Sequence, residues 1–74
     1  MHLTVKAFAT LSAFAPAGGG YEAEPPLSVG DLATRLGIPL DELHLVFVNN
    51  VRAELDRALA DGDRVGFFPA VGGG

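Results

Sequence analysis

The residues that invite a chemical reading are few, and the foremost of them close the sequence: Gly72, Gly73 and Gly74. Glycine makes up 10 of the 74 residues, about twice the usual ~7%. Even so, composition alone would place three glycines at a given triplet of positions only about three times in a thousand. A segment without Cβ atoms is thin and adopts extended conformations closed to other residues. It can thread a narrow channel and present the α-carboxylate of Gly74 to a distant reactive centre. The carboxylate itself is then the reacting group.

The other candidates carry less. His2 and His44 lie far apart, with no His or Cys at metal-ligand spacing, and read as surface or edge-strand residues. No metal site is expected. No Gly-x-Ser-x-Gly pattern occurs; Ser12 lacks context and Ser28 is better explained as a helix cap. Asp41-Glu42 and Asp61 with Asp63 fall in predicted turns, where solvation accounts for them. The glycines at 18–20 are followed neither by Lys-Ser/Thr nor by a clear helix start, so they do not make a phosphate loop.

Composition narrows the class further. With 49% hydrophobic and 19% charged residues, the chain reads as one globular domain with a single core. It has no cysteine, which removes disulfides, thiolate zinc sites and cysteine nucleophiles. Nine acidic against five basic residues give a formal charge of −4, the wrong sign for a nucleic-acid binder. No segment approaches the ~20 apolar residues of a membrane span. The start, MHLTVKAFATLSAFAPA, resembles a secretory leader only superficially. Its one charge, Lys6, lies inside the apolar stretch, and cleavage near 15–17 would discard the first strand. The expected compartment is the cytoplasm.

The elements that must position the tail follow from periodicity. Residues 2–8 alternate, with Leu3, Val5 and Ala7 on one face and Thr4, Lys6 and Phe8 on the other, which predicts a half-buried strand. Residues 9–14 predict a short helical turn, and 21–24 a weak second strand ended by Pro25-Pro26. Val29, Leu32, Ala33 and Leu36 form one stripe of an amphipathic helix. Ser28 is placed to cap it, Asp31 to complete a capping box, and Gly37 to end it. A strand over 44–48, a turn at Asn49-Asn50 and a short strand over 51–55 follow. Asp61-Gly62-Asp63 predicts a turn into the last strand, 64–68, ended by Pro69. Residues 1–69 thus form the domain and 70–74 a flexible glycine tail. The helix must pack across a mixed sheet of four to five strands.

This combination resembles the ubiquitin-like sulfur carriers of the MoaD/ThiS family, whose fold is the α+β β-grasp. The most specific stretch is LADGDRVGFFPAVGGG, residues 59–74. Its Leu-x-Asp-Gly-Asp turn, the apolar strand ending Phe67-Phe68-Pro69 and the Val-x-Gly-Gly end look most like the small subunit of molybdopterin synthase. VKAFATL, residues 5–11, and VFVNN, residues 46–50, are weaker matches. The resemblance implies that a ubiquitin-activating-type enzyme, using ATP and Mg²⁺, adenylates Gly74. A sulfur donor then displaces AMP to leave a thiocarboxylate. A larger synthase subunit receives the tail, and a pterin precursor gains the sulfur in molybdenum or tungsten cofactor synthesis. The chain itself binds no cofactor and supplies no general acid or base, so it is a carried reagent rather than an enzyme. Two alternatives stay open: a thiamine-type carrier, since a Val-Gly-Gly-Gly end occurs there too, and a protein modifier or interaction module conjugated through Gly-Gly.

Partner docking is expected beside the tail, through Phe8, Phe68, Pro69 and Val71. In the last strand Val65 and Phe67 share a phase, assigned to the core, so Phe68 points outward with Arg64 and Gly66. Phe8 does the same with Thr4 and Lys6. Two outward Phe on one sheet face read as an interface patch. The alternative has the strand twist so that Phe68 covers the core edge.

Overall fold

The computed structural model describes residues 1–70. Strand β1, His2–Ala7, is followed by a 3-10 turn at Ala9–Phe14 and by the short β2, Gly20–Glu22. Helix α1, Val29–Leu36, leads through a 3-10 turn at Leu40–Glu42 to β3, Leu43–Val48, then β4, Val51–Arg52, and β5, Arg64–Pro69. The five strands form one sheet in the order β2-β1-β5-β3-β4. The central pair, β1 and β5, is parallel, and the other pairs are antiparallel. A mixed sheet with one main helix is the arrangement the resemblance implies.

The helix forms where periodicity places it. Val29, Leu32 and Ala33 are fully buried. They pack against the inward residues of the sheet: Leu3 and Val5 of β1, Val46 and Val48 of β3, Val65 and Phe67 of β5. Leu11, Leu27, Ile38 and Leu59 close the ends of this core. The capping box is complete, with Ser28 Oγ accepting from Asp31 N–H and the Asp31 carboxylate accepting from Ser28 N–H. Those hydrogen bonds hold the Asp31 carboxyl below its ordinary pKa. Gly37 ends the helix with φ 83°, a left-handed conformation that glycine adopts without strain.

Strand β4 is shorter than the expected 51–55, and the reason is tertiary. After Arg52 the chain turns to meet the start of α1. Arg57 C=O accepts from Val29 N–H at 2.9 Å, and Leu55 C=O accepts from Gly30 N–H at 2.8 Å. Helix donors that have no partner within the helix are thereby satisfied by a loop. The same contact explains Gly30. A Cβ there would lie 3.2 Å from Leu55 O. Helix propensity alone says that Gly30→Ala stabilises by up to ~1 kcal/mol. Because the loop is pinned on both sides of Leu55, the substitution is expected instead to lower the melting temperature, which a thermal unfolding scan reads directly.

The turn into β5 also departs from expectation. Asp63 is buried, only 7% exposed, rather than solvated. Its carboxylate accepts from Ala60 N–H at 2.8 Å, Asn49 Nδ2 at 2.9 Å and Arg57 Nη1 at 3.2 Å. Asn49 Oδ1 accepts in turn from Arg64 N–H at 2.9 Å. Asn49 and Asn50 both have positive φ, 53° and 68°, as the predicted turn requires. Asn49 thus makes the turn and ties it to Asp63. Burial raises the Asp63 pKa, but the hydrogen bonds from Ala60, Asn49 and Arg57 outweigh it and the net shift is downward. A lowered folded-state pKa means stability that is fully present above the unfolded carboxylate range and is lost as pH falls through the folded value. Asp63→Ala removes the acceptor shared by Ala60 N–H, Asn49 Nδ2 and Arg57 Nη1; Arg57 Nη1 keeps Ala58 C=O at 3.0 Å and water reaches Asn49, so the expected cost is about 1–3 kcal/mol at neutral pH. Denaturant melts of both proteins should converge as pH falls below the ordinary carboxylate range and through the lowered Asp63 value; a gap that persists once that carboxyl is protonated would place the effect in packing instead.

Candidate functional site

The sheet has one face under α1 and one open face. Register determines what the open face carries. Thr4 pairs with Arg64 and Lys6 with Gly66 across β1 and β5, while Phe47 pairs with Gly66 across β3 and β5. Phe8 continues β1 in extended conformation and donates its N–H to Phe67 O at 3.1 Å. That places its ring beside Phe68. The two rings stack with centroids 4.4 Å apart and planes 5° apart, and Phe47 meets Phe68 edge-on at 5.6 Å and 86°. Phe8 remains 40% exposed.

These three rings, with Thr4, Lys6, Asn50, Arg64 and Gly66, line a cleft of about 450 Å³. Gly66 forms its floor. A Cβ there would lie 3.4 Å from Phe68 and 3.6 Å from Phe8, so an alanine would just touch the rings. Gly66→Val should therefore fill the cleft and displace the stack, whereas Gly66→Ala should leave it in place. The near-ultraviolet circular dichroism of the phenylalanines distinguishes the two variants.

The sequence-predicted docking residues separate here. Phe8 and Phe68 come together on the open face, with Phe68 half-buried by its aromatic neighbours. Pro69 does not join them. It is buried, shares the phase of Val65 and Phe67, and pairs with Leu43 at the end of β3. Alternation along the strand puts it one step out of phase with Phe68, so it is a core residue. Val71, Gly72, Gly73 and Gly74 lie outside the described residues. Phe47 was missed. Its signal was available, since Val46 and Val48 alternate with it, but the pairing of β3 beside β5 is needed to bring it to Phe68. His2 lies at the far edge, its ring in contact with the Glu22 carboxylate and its N–H donating to Asp61 at 2.6 Å.

A five-stranded mixed sheet crossed by one helix, with the last strand central and leading to a glycine-rich end, defines the ubiquitin-like β-grasp class. Within that class the chain belongs to the ThiS family, whose model matches residues 5–74. No curated protein gives a sequence match. Among solved structures, the chain is similar to SAMP1 of Haloferax volcanii, with 27% identity, a TM-score of 0.72 and complete coverage of both chains. It is equally similar in sequence, at 27%, to a Pyrococcus furiosus protein assigned as molybdopterin-converting factor subunit 1. There the TM-score is 0.66, with 96% of this chain and 99% of that one covered. At 20% identity, a complex of subunits 1 and 2 of the Helicobacter pylori molybdopterin-converting factor shares the fold, with a TM-score of 0.62 and full coverage of both chains. Members of this family are small carrier proteins. Among the described residues no helix is long and apolar enough to cross a membrane.

Proposed function

We propose that this chain is a sulfur carrier that works through the α-carboxylate of Gly74. The observation that supports this most directly is the family match, which extends through the glycine triplet to residue 74. In the proposed cycle, a carboxylate oxygen of Gly74 attacks the α-phosphorus of ATP on an activating enzyme, and pyrophosphate leaves. A sulfide donor attacks the acyl carbon of the resulting adenylate, and AMP leaves, so the product is a thiocarboxylate. The chain binds neither ATP nor Mg²⁺ itself. It contributes the reacting carboxylate and the open sheet face that lets enzymes hold it, in a cytoplasmic setting.

The acceptor we infer is a pterin precursor on a larger synthase subunit. The Phe67-Phe68-Pro69 end of β5 and the likeness to the Pyrococcus furiosus subunit 1 favour this pathway over the thiamine type. The Helicobacter pylori neighbour, solved together with its subunit 2, is consistent with such a partner. A second reading, protein modification, is favoured by the likeness to SAMP1, a small archaeal modifier protein. The two are chemically distinct. Incubation with the host's activating enzyme, ATP, Mg²⁺ and a sulfide donor should exchange one oxygen for sulfur at Gly74, read as intact mass. Abundant isopeptides between Gly74 and lysines of host proteins, with no thiocarboxylate, would move the function to a modifier.

A further inference from the structure

Charge is segregated on this molecule. Of its five cations, Arg57 is paired with Asp63 and Arg35 lies in the last turn of α1. The other three, Lys6, Arg52 and Arg64, are exposed and share the open sheet face. Lys6 and Arg64 line the cleft, and Arg52 is paired with Phe47 across β3 and β4. Among the described residues the ion pairs are His2–Glu22 and Arg57–Asp63, so none of these three cations has an acidic partner. Around the cleft itself no carboxylate joins Lys6 and Arg64. Asp31 is on α1, Asp41 and Glu42 are in the turn that follows, Asp56 is in the loop pinned to the helix start, and Glu54, in the same loop, lines a separate groove at the sheet edge with Arg52. Among the described strand residues, Glu22 is the carboxylate that register brings to the open face, at its far edge and against His2, whose backbone N–H also donates to Asp61.

A chain of formal charge −4 therefore presents a positive face, and that face surrounds an aromatic cleft. We propose that it docks a partner protein surface on which an apolar side chain is ringed by carboxylates. The apolar group enters over Gly66 against Phe8, Phe47 and Phe68, while the carboxylates meet Lys6, Arg64 and Arg52. This rests on the carrier reading only in supposing that the open face is where enzymes hold the chain. The physical reason is selection. Cations that water solvates freely become costly when a docked surface covers them without compensation. A neutral or basic surface of the same shape is therefore rejected, and an acidic one is accepted and steered. A second copy presenting the same face would oppose like charges.

The test is an amide chemical-shift titration of the full chain with short capped peptides that alternate leucine with glutamate, glutamine or lysine. The glutamate peptide should perturb Lys6, Phe8, Phe47, Gly66 and Phe68, more weakly as salt rises. It should bind at least about tenfold more tightly than the glutamine peptide, about 1.4 kcal/mol. The double variant Lys6→Glu, Arg64→Glu should reverse the order and favour the lysine peptide, while Lys6→Arg should bind like the wild type. Equal affinity for the glutamate and glutamine peptides would overturn the proposal. So would shifts confined to Leu40 and Leu55, concentration-dependent shifts of the free chain at this face, or tighter binding of an oligouridine probe there. Intact-mass measurement of thiocarboxylate on the wild type is a separate readout. A chain that gains sulfur but ignores peptide charge refutes the docking chemistry alone, and one that selects the acidic peptide but gains no sulfur refutes the carrier reading alone.

Discussion

Deleting Gly74, or adding one alanine after it, is expected to abolish thiocarboxylate formation while leaving the melting temperature unchanged. The structural half of this expectation follows from where the core lies. Every buried side chain among the described residues falls between Leu3 and Pro69, and β5, the strand that precedes the tail, is held on both sides by β1 and β3. The chemical half follows from the group proposed to react. Extension converts the Gly74 carboxylate into an amide, which ATP does not adenylate, and moves the free carboxylate to a residue with a Cβ. A channel shaped for glycine excludes that atom. The loss should therefore appear in activation and not in folding. An extended protein that is adenylated and thiocarboxylated as efficiently as the original, without being trimmed, would show that the terminal carboxylate has no such role.

Neighbouring phenylalanines in β5 should divide stability from binding. Phe67 is fully buried under α1, and its truncation to alanine should cost about 3–5 kcal/mol. A domain of this length has only ~4–11 kcal/mol in hand, so Phe67→Ala approaches unfolding, and Phe67→Leu provides a folded comparison. Phe68 faces the other way. Phe68→Ala loses a stacked and an edge-on aromatic contact, worth about 0.5–1.5 kcal/mol each. In partner binding it should cost about 2 kcal/mol or more, as central aromatics of an interface do. Paired melting and affinity measurements against the activating enzyme decide the matter. A Phe68→Ala protein that melts as low as Phe67→Ala, yet binds like the wild type when cooled, would return Phe68 to the core.

Local pattern alone was enough for helix α1, because each of its signals acts within a few residues. Its apolar stripe, the Ser28–Asp31 box and the Gly37 terminator all fall where spacing puts them. The alternation of β1 and β5 likewise determined which residues face the helix, including the outward Phe8 and Phe68, since a strand has no other way to distribute its side chains. The same alternation applied one residue further would have placed Pro69 in the core. The glycine triplet, on which the proposed carrier chemistry rests, stands in the sequence itself and lies outside the described residues, so the fold neither adds to that reading nor subtracts from it. What the tertiary structure decided was which strands become neighbours. Asp63 reads as a solvated turn residue until the β3–β4 turn brings Asn49 to it and the loop after β4 brings Arg57. Gly30 reads as a mild helix defect until Leu55 comes to lie against it. Phe47 joins Phe68 only because β3 pairs with β5, and Lys6, Arg52 and Arg64 share a face only because three strand registers align them. Such contacts join residues far apart in the chain, and local periodicity carries no information about which distant segment will lie alongside.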